Sequence, residues 1–252
     1  MPVFSMKIAG QVGAITAAFQ STPDYFRSYL TGETPDFAAE VTAEDRAYEQ
    51  QASIAEALEE GIRPRVYTDP HLERAAIQRK FAEHLFHCNT LLVHGSTVAL
   101  DGEAYLFTAK CGTGKSTHTR LWREVFGSRA EMVNDDKPFL RLTETGVLAC
   151  GSPWCGKHGL GSNITVPLKG ICILTRGPEN RIRRIQPEDA MEMLLHQTYC
   201  PLAEDSLPRF RALVAQLARQ VPLWEMECTK DPEAARVAQQ AMSGEWLPEE
   251  NP

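Results

Sequence analysis

AYLFTAKCGTGKSTHTRLW, residues 104–122, is the stretch on which the reading of this chain turns. Within it, AKCGTGKST (109–117) fits the phosphate-loop pattern with Ala109 in place of the first glycine. That position only opens the turn, so alanine serves there. Gly112 and Gly114 permit a tight backbone path, and N–H groups from Gly112 to Lys115 can wrap phosphate oxygens. The run Cys111, Gly112, Thr113, Gly114, Lys115, Ser116 and Thr117 is therefore the expected nucleotide-binding segment. Lys115 brings positive charge to the β and γ phosphates, and Ser116 offers a hydroxyl to Mg²⁺. AYLFT leads in as a strand and STHTRLWREVFG leads out as a helix, the order that the motif requires. Trp122 on that helix reads as core.

Outward from the loop, EMVNDDKPFL (131–140) places Asp135 and Asp136 twenty positions after Lys115. A phosphate-loop hydrolase commonly keeps its metal-binding acid at the end of a longer strand, further along the chain. Two adjacent acids suggest two tasks, one holding Mg²⁺ on the phosphates and one accepting a proton from an attacking hydroxyl.

Upstream, LLVHGSTVAL, then Asp101-Gly102, then EAYLFTA reads as a hairpin with a tight turn. Downstream, RLTETGVLACG (141–151) reads as a second hairpin, VPLKGICILTRG (166–177) as a buried strand, RIRRI (181–185) as an edge strand and VPLWEMECT (221–229) as a last strand. Helices are expected over 186–200, 204–220 and 231–244, the last with Pro232 at its start. The first ninety residues differ in tone. KIAGQVGAIT (7–16) reads as a strand and FRSYLTG (26–32) as a short helix closed by Gly32. Residues 42–61 read as a helix with a Thr42/Asp45 capping box and a Gly61 stop. Residues 31–60 hold nine acids and one arginine, the mark of a solvated face. Residues 71–88 have helical apolar spacing, with His84 and His87 at the end where the helix dipole favours imidazoles. The expected organisation is an N-terminal α+β region over 1–90, a core over 91–245 and a disordered tail over 246–252.

Composition bounds the function. A net charge of −7 argues against non-specific nucleic-acid binding, and the sequence contains neither a membrane-length apolar run nor a signal-peptide pattern. A cytoplasmic protein is expected. The seven cysteines form no C-x-x-C pair, which argues against zinc and for reduced, mostly buried thiols. Against the acidic whole, the middle of the chain is basic: Arg120, Arg123, Lys137, Arg176, Arg181, Arg183 and Arg184. Two roles stand open for these, contact with an anionic substrate or ordinary solvation and pairing.

HGSTVALDGEAYLFTAKCGTGKST, VNDD and GSPWCGKH together resemble the HPr kinase/phosphorylase and phosphoenolpyruvate carboxykinase superfamily, especially the smaller HPr kinase-like proteins, over roughly residues 91–185. The resemblance implies an α/β fold, a phosphate-loop nucleotide-binding core with a mixed sheet, beside a small N-terminal α+β subdomain. It implies ATP and Mg²⁺, with Lys115 and Ser116 on phosphate and metal, Asp136 as metal ligand, Asp135 as general base and His94 tuning the acids. It also implies a possible homo-oligomer.

The chain departs from the family where HPr kinases carry a glycine- and arginine-rich segment for their protein substrate. GSPWCGKHGLGSN (151–163) stands there, a loop suited to closing over phosphates or substrate, with Lys157 a candidate to stabilise the transferring phosphoryl group. The first expectation is thus a kinase acting on a peptide or protein serine or a small alcohol. A slow ATPase serving as a switch or assembly factor is the second, and carboxykinase-like chemistry the third.

Overall fold

The computed structural model describes residues 1–59, 61–110 and 112–244, so Cys111 and the tail expected to be disordered lie outside the described residues. The chain divides into two compact units, Met1–His87 and a second from Cys88 onward, three residues before the change of character read at residue 91.

In the first unit, β1 (Val3–Ile8) and β2 (Gln11–Thr16) pair antiparallel, and β3 (Phe37–Glu40) adds to β2 in parallel. The single strand expected over 7–16 is a correction: Ala9 and Gly10 both hold positive φ, 50° and 84°, and turn the chain back on itself. The helix expected over 26–32 is also corrected. Helix α1 (Thr22–Tyr25) ends before it, only a 3₁₀ turn covers Arg27–Tyr29, and Leu30 is already extended. The buried carboxylate of Glu73 holds this region by accepting the Ala18 and Phe19 N–H groups at 2.6 and 3.3 Å and the Thr22 hydroxyl.

Helix α2 (Ala43–Glu59) begins in the expected capping box: Thr42 N–H donates to Asp45 Oδ2 at 3.0 Å and Asp45 N–H to Thr42 Oγ1 at 3.2 Å. Gly61 turns out of the helix with φ 69°. Only Ala57 of α2 is buried, in keeping with its acidic face. Helix α3 (Asp69–His87) buries Ile77, Phe81 and Leu85. His84 stacks on Phe37 at 4.0 Å between ring centroids. Gly13 lets β2 lie directly under these rings, since a Cβ there would stand 2.6 Å from Phe37 and Phe81.

The second unit is mixed α/β. Among the described residues its sheet has nine strands. The expected first hairpin comprises β5 (Ser96–Leu100) and β6 (Glu103–Thr108), joined through Asp101 and Gly102 at φ 50° and 87°. The run LLVHGSTVAL is not continuous, however. Its first residues form β4 (Thr90–Leu92), which pairs elsewhere in the sheet, and His94-Gly95 form the break.

Helix α4 (Lys115–Phe126) follows the glycine loop, and β7 (Ala130–Asn134) returns beside β5. Strands β8 (Phe139–Thr143) and β9 (Gly146–Cys150) form the second hairpin. Strand β10 (Thr165–Arg176) joins the whole: its first residues pair with β9, and the rest run parallel to β6 on one side and to β12 (Leu223–Cys228) on the other. Strand β11 (Arg181–Ile185) lies outside β12, at the edge as expected. Helices α5 (Pro187–Gln197), α6 (Ser206–Gln220) and α7 (Glu233–Met242) occupy the three expected stretches.

Trp122 is fully buried with Tyr105, Phe107, Trp224 and Met226, where α4 and α7 cover the sheet. This apolar packing fixes the start of α4, and so the glycine loop, against the ends of β6 and β10. The thiols are less buried than expected. Among the described residues Cys150 and Cys172 are buried, Cys88, Cys155 and Cys228 are partly exposed and Cys200 is exposed, because several sit at strand and helix ends.

Candidate functional site

The strand order β12-β10-β6-β5-β7 places β6, which feeds the glycine loop, between Arg176 at the end of β10 and the acids that follow β7. A cavity of about 720 Å³ opens there. Every described residue expected in the site lines it: His94, Gly112, Thr113, Gly114, Lys115, Ser116, Thr117, Asp135, Asp136 and Lys157. Cys111, expected among them, lies outside the described residues.

Gly112 and Gly114 hold φ of 73° and 119°, which the tight path requires. His118 N–H donates to Gly114 O at 2.9 Å and begins the first helical turn. Lys115 Nζ reaches back across the loop to Ala109 O at 3.1 Å. Arg176 donates through Nε to Thr113 O at 3.1 Å and through Nη2 to Gly112 O. It therefore clamps the loop by its carbonyls.

The adjacent acids have different surroundings. Asp135 is 5% exposed, and its Oδ1 accepts the Gly156 N–H at 2.6 Å. Its Oδ2 is buried with no hydrogen-bond partner. Burial pushes its carboxyl above the ordinary value, the Asp136 charge adds to this, and the N–H groups of Gly156 and Leu160 oppose it without cancelling it.

Asp136 is a third exposed and lies 3.3 Å from His94 Nε2. Burial pushes its carboxyl up too. The His94 hydrogen bond and the charges of Lys137 and Lys115 outweigh burial and hold it below the ordinary value. His94 shifts down, from burial first and against the pull of Asp136, so it is a neutral donor at physiological pH. Its place is fixed by the chain break, where its N–H donates to Gln197 O at 2.7 Å and the Gly95 N–H to Asp136 O at 3.0 Å.

Asn134 is the residue that the sequence reading quoted without a role. It is fully buried at the end of β7. Its Oδ1 accepts the N–H groups of Asp136 and Lys137 at 2.7 and 2.6 Å, and its Nδ2 donates to Ser152 O at 2.9 Å and Trp154 O at 3.3 Å. One side chain thus shapes the turn carrying both acids and ties it to the loop over 151–163. Ser152 closes the tie by donating to Lys137 O at 2.6 Å. An asparagine directly before an acid pair was the available signal, since Asn favours turns that its side chain completes. Lys157 and His158, at the tip of that loop, are exposed on the cavity rim.

No family model and no curated protein matches the chain. Among solved structures it is similar to the Hpr(Ser) kinase/phosphatase from Coxiella burnetii, at 13% identity over 61% of this chain and 99% of that chain, with a TM-score of 0.33. At that score the likeness carries no argument.

Proposed function

We propose that this protein is a cytoplasmic ATP-dependent kinase that transfers the γ-phosphoryl group to a hydroxyl. The observation that carries the reading is the asymmetry of the acid pair beside the glycine loop: Asp135 with one unpartnered buried oxygen, Asp136 paired with His94. A slow hydrolase needs a metal ligand; the second acid, held apart in a drier setting, suits a base for an acceptor alcohol.

In this reading the N–H groups from Gly112 to Lys115 cradle the phosphates and Lys115 neutralises them. Asp136 and the Ser116 hydroxyl would hold Mg²⁺, which supplies charge neutralisation on the phosphates when bound. Mg²⁺ takes one or two protein oxygens and completes its shell with phosphate and water, a requirement that this pair would meet. The acceptor oxygen attacks the γ phosphorus, its proton passes to the Asp135 carboxylate, the bond to the β-phosphate oxygen breaks and ADP leaves. The raised Asp135 carboxyl is the better base for that setting. His94 keeps Asp136 ionised and oriented. Lys157 meets the charge on the phosphoryl group in flight.

The test is incubation with γ-labelled ATP and a fractionated cell extract, followed by mass spectrometry of the labelled species. A phosphorylated acceptor is expected. Label recovered only as inorganic phosphate would replace this reading with the slow ATPase.

A further inference from the structure

The cavity is more basic than a nucleotide alone requires. Two carboxylates face it, Asp135 and Asp136, against six cations, Lys115, Arg120, Arg123, Lys157, Arg176 and Lys230, in a chain of net charge −7. Three of the six are already engaged: Lys115 with its own loop, Arg176 with the loop carbonyls and Arg120 with Glu124. The side chains of Arg123, Lys157 and Lys230 have no hydrogen-bond or ion-pair partner among the described residues.

Their positions divide by the strand order. Lys230 follows β12, two strands to one side of the glycine loop, whereas the acids follow β7, two strands to the other, each about 10 Å away at the usual strand spacing. On the kinase reading the transferring phosphate lies beside the acids, which would leave the Lys230 side to the nucleoside. The acid side is then left to the acceptor. Its wall is α4, on which Ser116, Arg120 and Arg123 share one face at i, i+4 and i+7, so that Arg123 stands about 10 Å along the helix from Ser116. Met132 and Leu160 also line the cavity.

We propose, building on the kinase reading above, that the acceptor is an acidic peptide: a serine at Asp135 with a neighbouring carboxylate side chain paired with Arg123. The reaction is the one already written, with ATP as phosphoryl donor and the serine hydroxyl proton passing to Asp135.

The test uses the full chain with synthetic serine peptides in an alanine background, carrying glutamate, alanine or lysine at the second to fourth residues on either side of the serine. The glutamate peptides are expected to exceed the alanine peptides in kcat/KM by about tenfold. Arg123→Gln should erase that preference, and Arg123→Glu should move it to the lysine peptides, a change of charge partner that general misfolding would not produce. Equal kcat/KM across the three peptides, or a preference unmoved by Arg123→Glu, would overturn the acidic-peptide proposal and leave the kinase standing. No transfer to any peptide, with ATP still bound, would overturn this proposal along with a peptide-directed kinase.

Discussion

Gly156 donates its backbone N–H to Asp135 Oδ1 at 2.6 Å, leaving Oδ2 of the same carboxylate buried and unpartnered. The loop over 151–163 therefore fixes which oxygen of Asp135 is hydrogen-bonded and which is left without a partner. An asparagine at 135 would keep the bond from Gly156 through its amide oxygen while losing the base. Asp135→Asn is expected to lower kcat by a factor of about 10²–10⁴ while the ATP dissociation constant stays within about twofold. Single-turnover transfer and isothermal titration separate the two. Ordinary turnover in this variant would remove Asp135 from the chemistry.

Asn134 acts on both acids through the backbone. Asn134→Ala would remove the partner of the part-buried Asp136 and Lys137 N–H groups and of the buried Ser152 carbonyl. Each unsatisfied buried group costs about 1–3 kcal/mol, so a loss of about 3 kcal/mol in unfolding free energy is expected, read by urea denaturation. Asn134→Asp keeps the acceptor oxygen but loses the donor and adds a third charge to the turn, so it is not expected to rescue.

Arg176 is the exposed counterpart of that clamp. Its bonds to the Gly112 and Thr113 carbonyls hold the loop in shape. Arg176→Ala is expected to raise the ATP dissociation constant about tenfold with stability changed by no more than about 0.5 kcal/mol. Lysine cannot reproduce the planar two-bond grip, so Arg176→Lys should fall between. An unchanged ATP affinity in Arg176→Ala would show that the loop needs no such support.

These partnerships explain what the sequence could and could not reveal. The Asp101-Gly102 hairpin, the Thr42/Asp45 capping box and the glycine loop were legible because each is closed by residues a few positions apart. The Ala9-Gly10 turn was not, because Ala9 takes a positive φ that alanine seldom adopts. The split of LLVHGSTVAL at His94-Gly95 depends on Gln197 and Asp136, remote in sequence. The clamps made by Asn134 and Arg176 close on residues 18 and 63 positions away. No local pattern carries such a partner.

The last prediction concerns the first unit and pH. Asp45 sits between Arg79 Nη2 at 2.7 Å and Lys80 Nζ at 3.0 Å. Burial alone would raise its carboxyl, but the Thr42 N–H bond, Arg79 and Lys80 outweigh burial and lower it from 3.8 to about 2. A carboxyl lowered in the folded chain stabilises it fully above the unfolded value and loses that contribution as pH falls towards the folded one. Its contribution is full at neutral pH, and about half of it is gone by pH 3. Neighbouring Glu49 works in the opposite sense: burial raises its carboxyl despite the Arg79 bond, so its proton favours the folded chain at somewhat higher pH. Asp45→Asn removes only the first titration. Thermal unfolding of wild type and Asp45→Asn should therefore differ most near pH 7 and converge as pH falls from 4 to 3. A gap that stays constant across that range would mean that Asp45 keeps an ordinary carboxyl and that its contacts add packing alone.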